Sequence, residues 1–320
     1  HNEGLTYAKQ AQDAKGQDKP EEAKKNFRLA LNRFKRAKMF NPTKEETPRN
    51  MGVSYFNLGE IDSGLALLKE AKGLARPEDT KAADILFDQY RRLGDEAAEK
   101  AASGTAEVNK AYLEGAIKFY EEAETLKAND PDLLFSLGVV HYQLALADTS
   151  SQTEEYGEAV HCFEKTLQKN PNDEEALYNA ATLYLELRQC EQGMLHARRL
   201  LDLDPKNGRH HDIVGRLNDC LGRKNERIVG LIFAKSLKDG TVMPPDSLKA
   251  ELGKLGGSAG AVRKYREEGL PEEIRTFKDS AGGDYMCWFY WSRGKALAFY
   301  NGEYKYETSF KPLKAETGTD

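Results

Sequence analysis

Apolar residues recur at helical spacing through the first two thirds of the chain. After Pro131, the positions Leu134, Leu137 and Gly138 fall on one stripe, followed by His141 and Tyr142 one turn on; after Thr153, Ala159, Phe163 and Thr166 do the same. Steps of three and four residues put such positions on one face of a helix, so each segment predicts an amphipathic helix with one buried side. Asn170-Pro171 and Asp204-Pro205 close two successive segments of this kind, and 205 − 171 = 34 residues. A fixed period of that length predicts stacked helical hairpins, each too small to bury its apolar face alone.

The pattern extends in both directions. The next unit carries Leu177, Ala180, Ala181 and Tyr184, then Gly193, Ala197, Leu200 and Pro205. Upstream, Met51-Gly52, Tyr55, Gly59, Gly64, Leu68 and Ala71 form another, closed near Pro77, and Ala30, Phe34, Ala37 and Pro42 supply the second helix of a unit before it. Two units are irregular: Leu86, Tyr90 and Gly94 with Ala116, Tyr120 and Ala123, on stretched helices, and Val214, Gly215 and Gly222, whose partner helix is not evident. About six units are expected between Leu5 and Leu221. Small residues that let helices approach, aromatics that fill the gap and a proline that ends the second helix together resemble the tetratricopeptide repeat family. The resemblance implies a mainly α fold, an α-solenoid whose first helices line a concave binding face.

After Lys224 the 34-residue pattern stops. Tyr304, Tyr306, Thr308 and Phe310 alternate with Lys305, Glu307, Ser309 and Lys311, the period of a strand with one buried face. Asn301-Gly302 predicts a tight hairpin turn, with Lys295–Tyr300 as the strand before it. Ser292-Arg293-Gly294 joins that strand to the aromatic run Tyr285–Trp291, and Glu273–Lys278 reads as a further strand. Pro245–Leu255 and Ser258–Glu268 have helical patterns, the second with Ser258 as cap and Gly269 as stop. Ile228–Leu237 is read as an added strand, with the second helix of the last repeat as the alternative. The expected domains are therefore a helical solenoid over 1–224, a small α+β domain over 225–312 with two helices and a three- or four-stranded antiparallel meander, and a flexible tail over 313–320.

This order, with Gly269-Leu270-Pro271, Trp288-Phe289-Tyr290 and Phe299-Tyr300-Asn301-Gly302, resembles the small module of bacterial outer-membrane assembly lipoproteins of the SmpA/OmlA type over roughly residues 245–310. The resemblance implies a bacterial periplasmic or cell-envelope location and a binding role. A cytoplasmic adaptor is the alternative. On the four-residue aromatic run Trp288, Phe289, Tyr290 and Trp291, strand alternation sends one pair into the domain core and leaves the other pair needing cover.

Composition narrows the function. With 47 basic and 52 acidic residues the net charge is −5, which gives no basic field for nucleic acid. No run reaches the roughly 18 apolar residues that span a bilayer, although a membrane-peripheral location stays open. The chain starts at His1 without a signal-like apolar stretch, so location has to come from elsewhere. The cysteines, Cys162, Cys190, Cys220 and Cys287, lack paired metal or redox spacing and read as separate packed thiols. Cys190 and Cys220 fall near corresponding ends of successive hairpins, which leaves a disulfide open in an oxidising compartment. His141 and His161 lie on paired helices and His210-His211 opens another, but none of the six histidines has metal-ligand spacing. Gly253–Gly260 lacks the ending of a phosphate loop, and no nucleophile elbow occurs. No catalytic residue, metal or cofactor is expected.

The family geometry, carried over by position, implies a groove lined by Arg49, Asn50, Val53 and Phe56, then Phe135, Val139 and Tyr142, then Tyr178, Asn179, Thr182, Arg209 and Arg216. Aromatics with a few directional polar groups suit an extended peptide or a partner helix. The carboxylate grip of the family's chaperone-binding members needs lysines where Phe135 and Tyr178 stand, so chaperone tails are not expected. The resulting reading is a non-catalytic scaffold for a protein or peptide partner within a larger assembly.

Overall fold

The computed structural model describes residues 1–101, 106–255, 257 and 259–313. The chain divides into two compact units, His1–Asp148 and Thr149–Asp320. The first unit holds α1 (Asn2–Gly16), α2 (Pro20–Phe40), α3 (Glu46–Asn57), α4 (Ile61–Leu74), α5 (Lys81–Ala101), α6 (Ala106–Glu124) and α7 (Pro131–Ala147). Consecutive helices pack as hairpins, α1 on α2, α3 on α4 and α5 on α6, and each hairpin packs on the next. The stretched third hairpin keeps the same logic: Leu86, Tyr90, Ala116, Tyr120 and Ala123 are buried. The Tyr120 ring lies so close to Gly94 that a Cβ there would overlap it, and the Tyr120 hydroxyl donates to Asp95 at 2.7 Å.

The second unit opens with α8 (Gln152–Lys169), α9 (Glu174–Glu186), α10 (Cys190–Leu203), α11 (Gly208–Cys220) and α12 (Lys224–Asp239). Gln152 and Thr153 form the first turn of α8. The repeated interhelical turns act as caps. Asp173 accepts from the Ala176 N–H and Asn207 from the Arg209 N–H, and 207 − 173 = 34 residues, so the sequence period is also a period of helix starts. Asp130 caps α7 in the same way, with Pro131 at the first helical position.

Ile228–Leu237, expected as a strand, lies within α12 and closes the last hairpin against α11. Gly215 and Gly230 make this crossing: a Cβ on Gly230 would sit 2.7 Å from the Gly215 Cα, so the two backbones approach as only glycine allows. The boundary expected at 224/225 falls at the start of α12, inside the second unit.

Beyond α12 the described residues form a five-stranded antiparallel meander in the order β1 (Thr241–Met243), β2 (Glu273–Lys278), β3 (Asp284–Tyr290), β4 (Lys295–Tyr300) and β5 (Glu303–Ser309). The short strand β1 adds one to the expected count. A 3₁₀ turn and α13 (Leu248–Lys254), then α14 (Gly260–Glu268), lie between β1 and β2. Asn301 and Gly302 both take positive φ at the β4–β5 turn, 48° and 79°, as a primed hairpin turn requires. Ser258 lies outside the described residues, and Ala259 stands at the start of α14. The aromatic run alternates as expected. Trp288 and Tyr290 pack with Leu248 and Leu252 of α13 and Ala261 of α14, whereas Phe289 and Trp291 pack on Ile232 and Phe233 of α12. The last repeat helix is therefore also the cover of the sheet's second face. Leu313, the first residue of the expected tail, packs on this face and its N–H donates to the Trp291 carbonyl at 2.9 Å, and the rest of that stretch, 314–320, lies outside the described residues.

Candidate functional site

A first helix turns one stripe into its hairpin and leaves the opposite stripe for a ligand. In α9, Leu177, Ala180 and Ala181 are buried, while Tyr178, Asn179 and Thr182 are half-buried on the other side. The Arg209 guanidinium lies 4.2 Å above the Tyr178 ring and 3.4 Å from Glu175, so α9 and α11 meet through a cation stacked on an aromatic face. Two turns further along, Arg216 approaches Glu186 at 3.6 Å. The Asn179 amide makes no hydrogen bond among the described residues, and the Thr182 hydroxyl is buried without a partner.

Two hollows border this row. One, of about 450 Å³, is lined by Glu186, Arg188, Arg216, Asp219, Arg227 and Leu231 among others. The second, of about 730 Å³, includes Arg209, Asp212, Leu231, Lys235, Lys238 and Asp239. Leu231 stands between them and is 37% exposed, an apolar anchor flanked by charges of both signs. The contributions of Leu231 and Lys235 were not legible from sequence, because Ile228–Leu237 read as a strand, and Lys238 lies one residue beyond it. With α12 recognised as a helix, their i, i+4 and i+7 spacing places all three on one face.

In the first unit, Arg49, Asn50, Val53 and Phe56 of α3 are half-buried, as are Phe135, Val139 and Tyr142 of α7. Arg49 pairs with Glu45 at 3.0 Å, one turn earlier on the chain. The Phe56 ring leans on Gly64 of α4, where a Cβ would lie 2.9 Å from it, so Phe56 fills its own hairpin instead of standing free as a groove anchor.

The titratable clusters serve packing. The Tyr184 hydroxyl donates to Glu164 at 2.9 Å, His196 Nε2 lies 2.8 Å from the same oxygen, and the two rings stack 5.6 Å apart, pinning α8, α9 and α10 together. The hydrogen bond from His196 holds the Glu164 carboxyl below its usual range, and burial pushes the Tyr184 phenol up to about 12. No group of three metal-ligating side chains gathers among the described residues, and no described helix is long and apolar enough to cross a membrane. Contrary to the expectation of separate thiols, Cys190 and Cys220 are joined in a disulfide with Cα atoms 6.2 Å apart. Cys162 and Cys287 remain unbridged and buried, and burial raises the Cys287 thiol to about 12.

His210 and His211, adjacent at the start of α11, are both buried. His210 Nδ1 lies 2.9 Å from the Asp204 carbonyl and His211 Nε2 lies 2.8 Å from the Pro205 carbonyl. Each ring anchors the turn that ends α10. Burial lowers the His211 pKa from 6.5 to about 4, outweighing the Pro205 carbonyl, which favours the proton. Between these values the unfolded chain takes up a proton that the native site refuses. Stability from this residue is thus fully present above pH 6.5 and declines by up to about 3 kcal/mol as pH falls toward 4. Urea unfolding at pH 7.5 and 4.5 should show a smaller loss for His211→Gln than for the parent chain; equal losses would remove His211 from the account.

Helical hairpins with capped first helices, small-residue crossings and a 34-residue period define a tetratricopeptide-type α-solenoid, here followed by an antiparallel five-stranded module. The tetratricopeptide repeat family model TPR_17 matches residues 162–194, from the middle of α8 into α10. Similar solved structures include YrrB, titled a TPR protein with an unusual peptide-binding site, at 18% identity over 69% of this chain and 98% of that one, with a TM-score of 0.41. Two MamA structures are also similar. MSR-1 MamA shows 15% identity over 61% of this chain and 97% of that one, TM-score 0.39, and AMB-1 MamA shows 18% over 60% and 98%, TM-score 0.40.

Proposed function

We propose that the chain is a non-catalytic interaction scaffold that captures an extended peptide segment, or a helix of a partner protein, on the exposed faces of its first helices. The observation that carries this reading is the row formed by Tyr178, Arg209, Glu186 and Arg216, bordered by two hollows that share Leu231. A stacked guanidinium and a half-buried tyrosine give contact area at low entropic cost, and the unpaired Asn179 amide can pair with a ligand main chain. Phe135, Val139 and Tyr142 of α7 offer a comparable face in the first unit.

The scaffold is further proposed to work in a bacterial envelope, as one subunit of an assembly, with its second-unit module as the envelope-type part. The Cys190–Cys220 bond supports this over a cytoplasmic adaptor, since reducing compartments keep such thiols open. Thiol counting on protein trapped with acid from its native source tests the location, and four reactive cysteines after denaturation would favour the cytoplasm.

Tyr142→Ala combined with Tyr178→Ala is expected to weaken partner capture roughly five- to thirtyfold, the loss of about 1–2 kcal/mol usual for an interface tyrosine. Both side chains are only half-buried, so helical circular dichroism should stay at the parent value. Undiminished capture in a pull-down from native extract, with folding intact, would refute the first-helix face.

A further inference from the structure

The strand β5 is the last in the sheet order, so one of its edges has no neighbouring strand. The ladder identifies which groups that edge presents. Phe310 donates to the Gly294 carbonyl at 2.9 Å, and Lys295 lies opposite Ser309, Ala296 opposite Thr308 and Ala298 opposite Tyr306. Hydrogen-bonded pairs alternate along an antiparallel ladder, so Tyr306, Thr308 and Phe310 point their main-chain groups toward β4. Glu307 and Ser309 point theirs outward, and those groups have no partner among the described residues.

Glu307, Thr308, Ser309 and Phe310 form one wall of a hollow of about 690 Å³ whose opposite side is built from α10, α11 and α12. Met194, Leu201, Val214 and Val229 line that side together with charged residues of both signs, Arg198 and Asp202 among them. Asn218, only 6% exposed, also lines the hollow, and its side-chain amide makes no hydrogen bond to any described residue. An amide that opens on the hollow offers a guest main chain both a donor and an acceptor.

We propose that this cleft binds a short extended peptide segment, which adds to β5 as a sixth strand through Glu307 and Ser309 while the Asn218 amide reads its main chain. The guest is specified by its backbone: two outward N–H and C=O sets in line require an extended chain. Apolar side chains at alternate positions of the guest would rest on Met194, Leu201 and Val229, with the intervening ones turned to the other side of the sheet. A volume of this size lies within the range of small-ligand pockets and holds a few residues of one chain, not the edge of a second folded sheet. The site is separate from the first-helix face and does not rest on that reading.

The test uses the full chain and a phage-displayed library of random dodecapeptides. Selected peptides are synthesised and titrated by fluorescence anisotropy against the parent, Asn218→Ala and Ser309→Pro. Proline at 309 deletes an outward N–H and leaves the inward ladder intact, a substitution tolerated on edge strands. The expected peptides alternate apolar residues, bind both variants at least tenfold more weakly, and protect the Glu307 and Ser309 amides from hydrogen exchange. If Ser309→Pro does not fold, Asn218→Ala and the exchange pattern decide alone. A library without binders, peptides that bind both variants as well as the parent, or peptides lost only on Tyr178→Ala would each overturn the proposal. So would light scattering that shows a dimer dissociated by Ser309→Pro, because the occupant would then be a second copy.

Discussion

Phe233→Ala is expected to destabilise the second unit by roughly 3–5 kcal/mol, the usual cost of removing a fully buried phenylalanine. Phe233 is 0% exposed on α12 and meets two different partners there. Its ring lies edge-on to Phe289 of β3 at 5.8 Å and 6.1 Å from the ring of His211 on α11. Truncation therefore opens a cavity between the last hairpin and the sheet at once, and neither side can collapse without leaving the other. Both tryptophans of the chain, Trp288 and Trp291, report on this unit alone. Their fluorescence in urea should show a midpoint lowered in proportion, whereas Val242→Ala, at a position 56% exposed, should shift it little. A loss below about 1 kcal/mol would mean that the α12 face is not part of the module's core.

The position of Phe233 also explains where the sequence was readable and where it was not. Helices α9 and α10 bury one stripe each, so their periodicity stands out, and the capping residues Asp173 and Asn207 repeat with it. Helix α12 buries Gly230 against α11 and Ile232 and Phe233 against the sheet. Its apolar positions are spread over two faces, and a helix covered on both sides presents the continuous apolar run that a buried strand also presents. No proline closes it, unlike Pro171 after α8 and Pro205 after α10. The strands β2 and β4 were legible to the residue because turn residues bound them. By contrast, β1 has three residues, too few to display an alternation, and exists through its pairing with β2.

The binding face was legible in part for a related reason. Tyr178 and Arg209 follow from counting along first helices, but their stacking depends on the crossing of α9 and α11, which no local pattern encodes. Phe56 shows the opposite error. Its helical position suits a groove, yet Gly64 opens a space beside it that the ring occupies, so the neighbouring helix decides its direction. The cleft at β5 was invisible, since it needs both the sheet order and the placement of α12.

Removing the Cys190–Cys220 bond is expected to cost the second unit roughly 3–4 kcal/mol. The bond joins the first residue of α10 to the last residue of α11 and closes a loop with a sequence separation of 30. Cross-linking a loop of that length removes denatured-chain entropy worth between the ~3 kcal/mol of a 15-residue loop and the ~4.7 kcal/mol of a 100-residue one. It also holds the end of α11, with Arg216 one turn back, in register with Glu186, so the effect reaches the proposed binding row. Two measurements check this together. Tryptophan fluorescence in urea should give the same lowered midpoint for Cys190→Ser/Cys220→Ser and for the parent chain in dithiothreitol, with no further shift when the variant is reduced. Partner capture should weaken alongside. A parent chain that unfolds at the same urea concentration with and without reductant would show that the helix ends are held by packing, and the register of Arg216 and Glu186 would then rest on the contact of α9 with α11 alone.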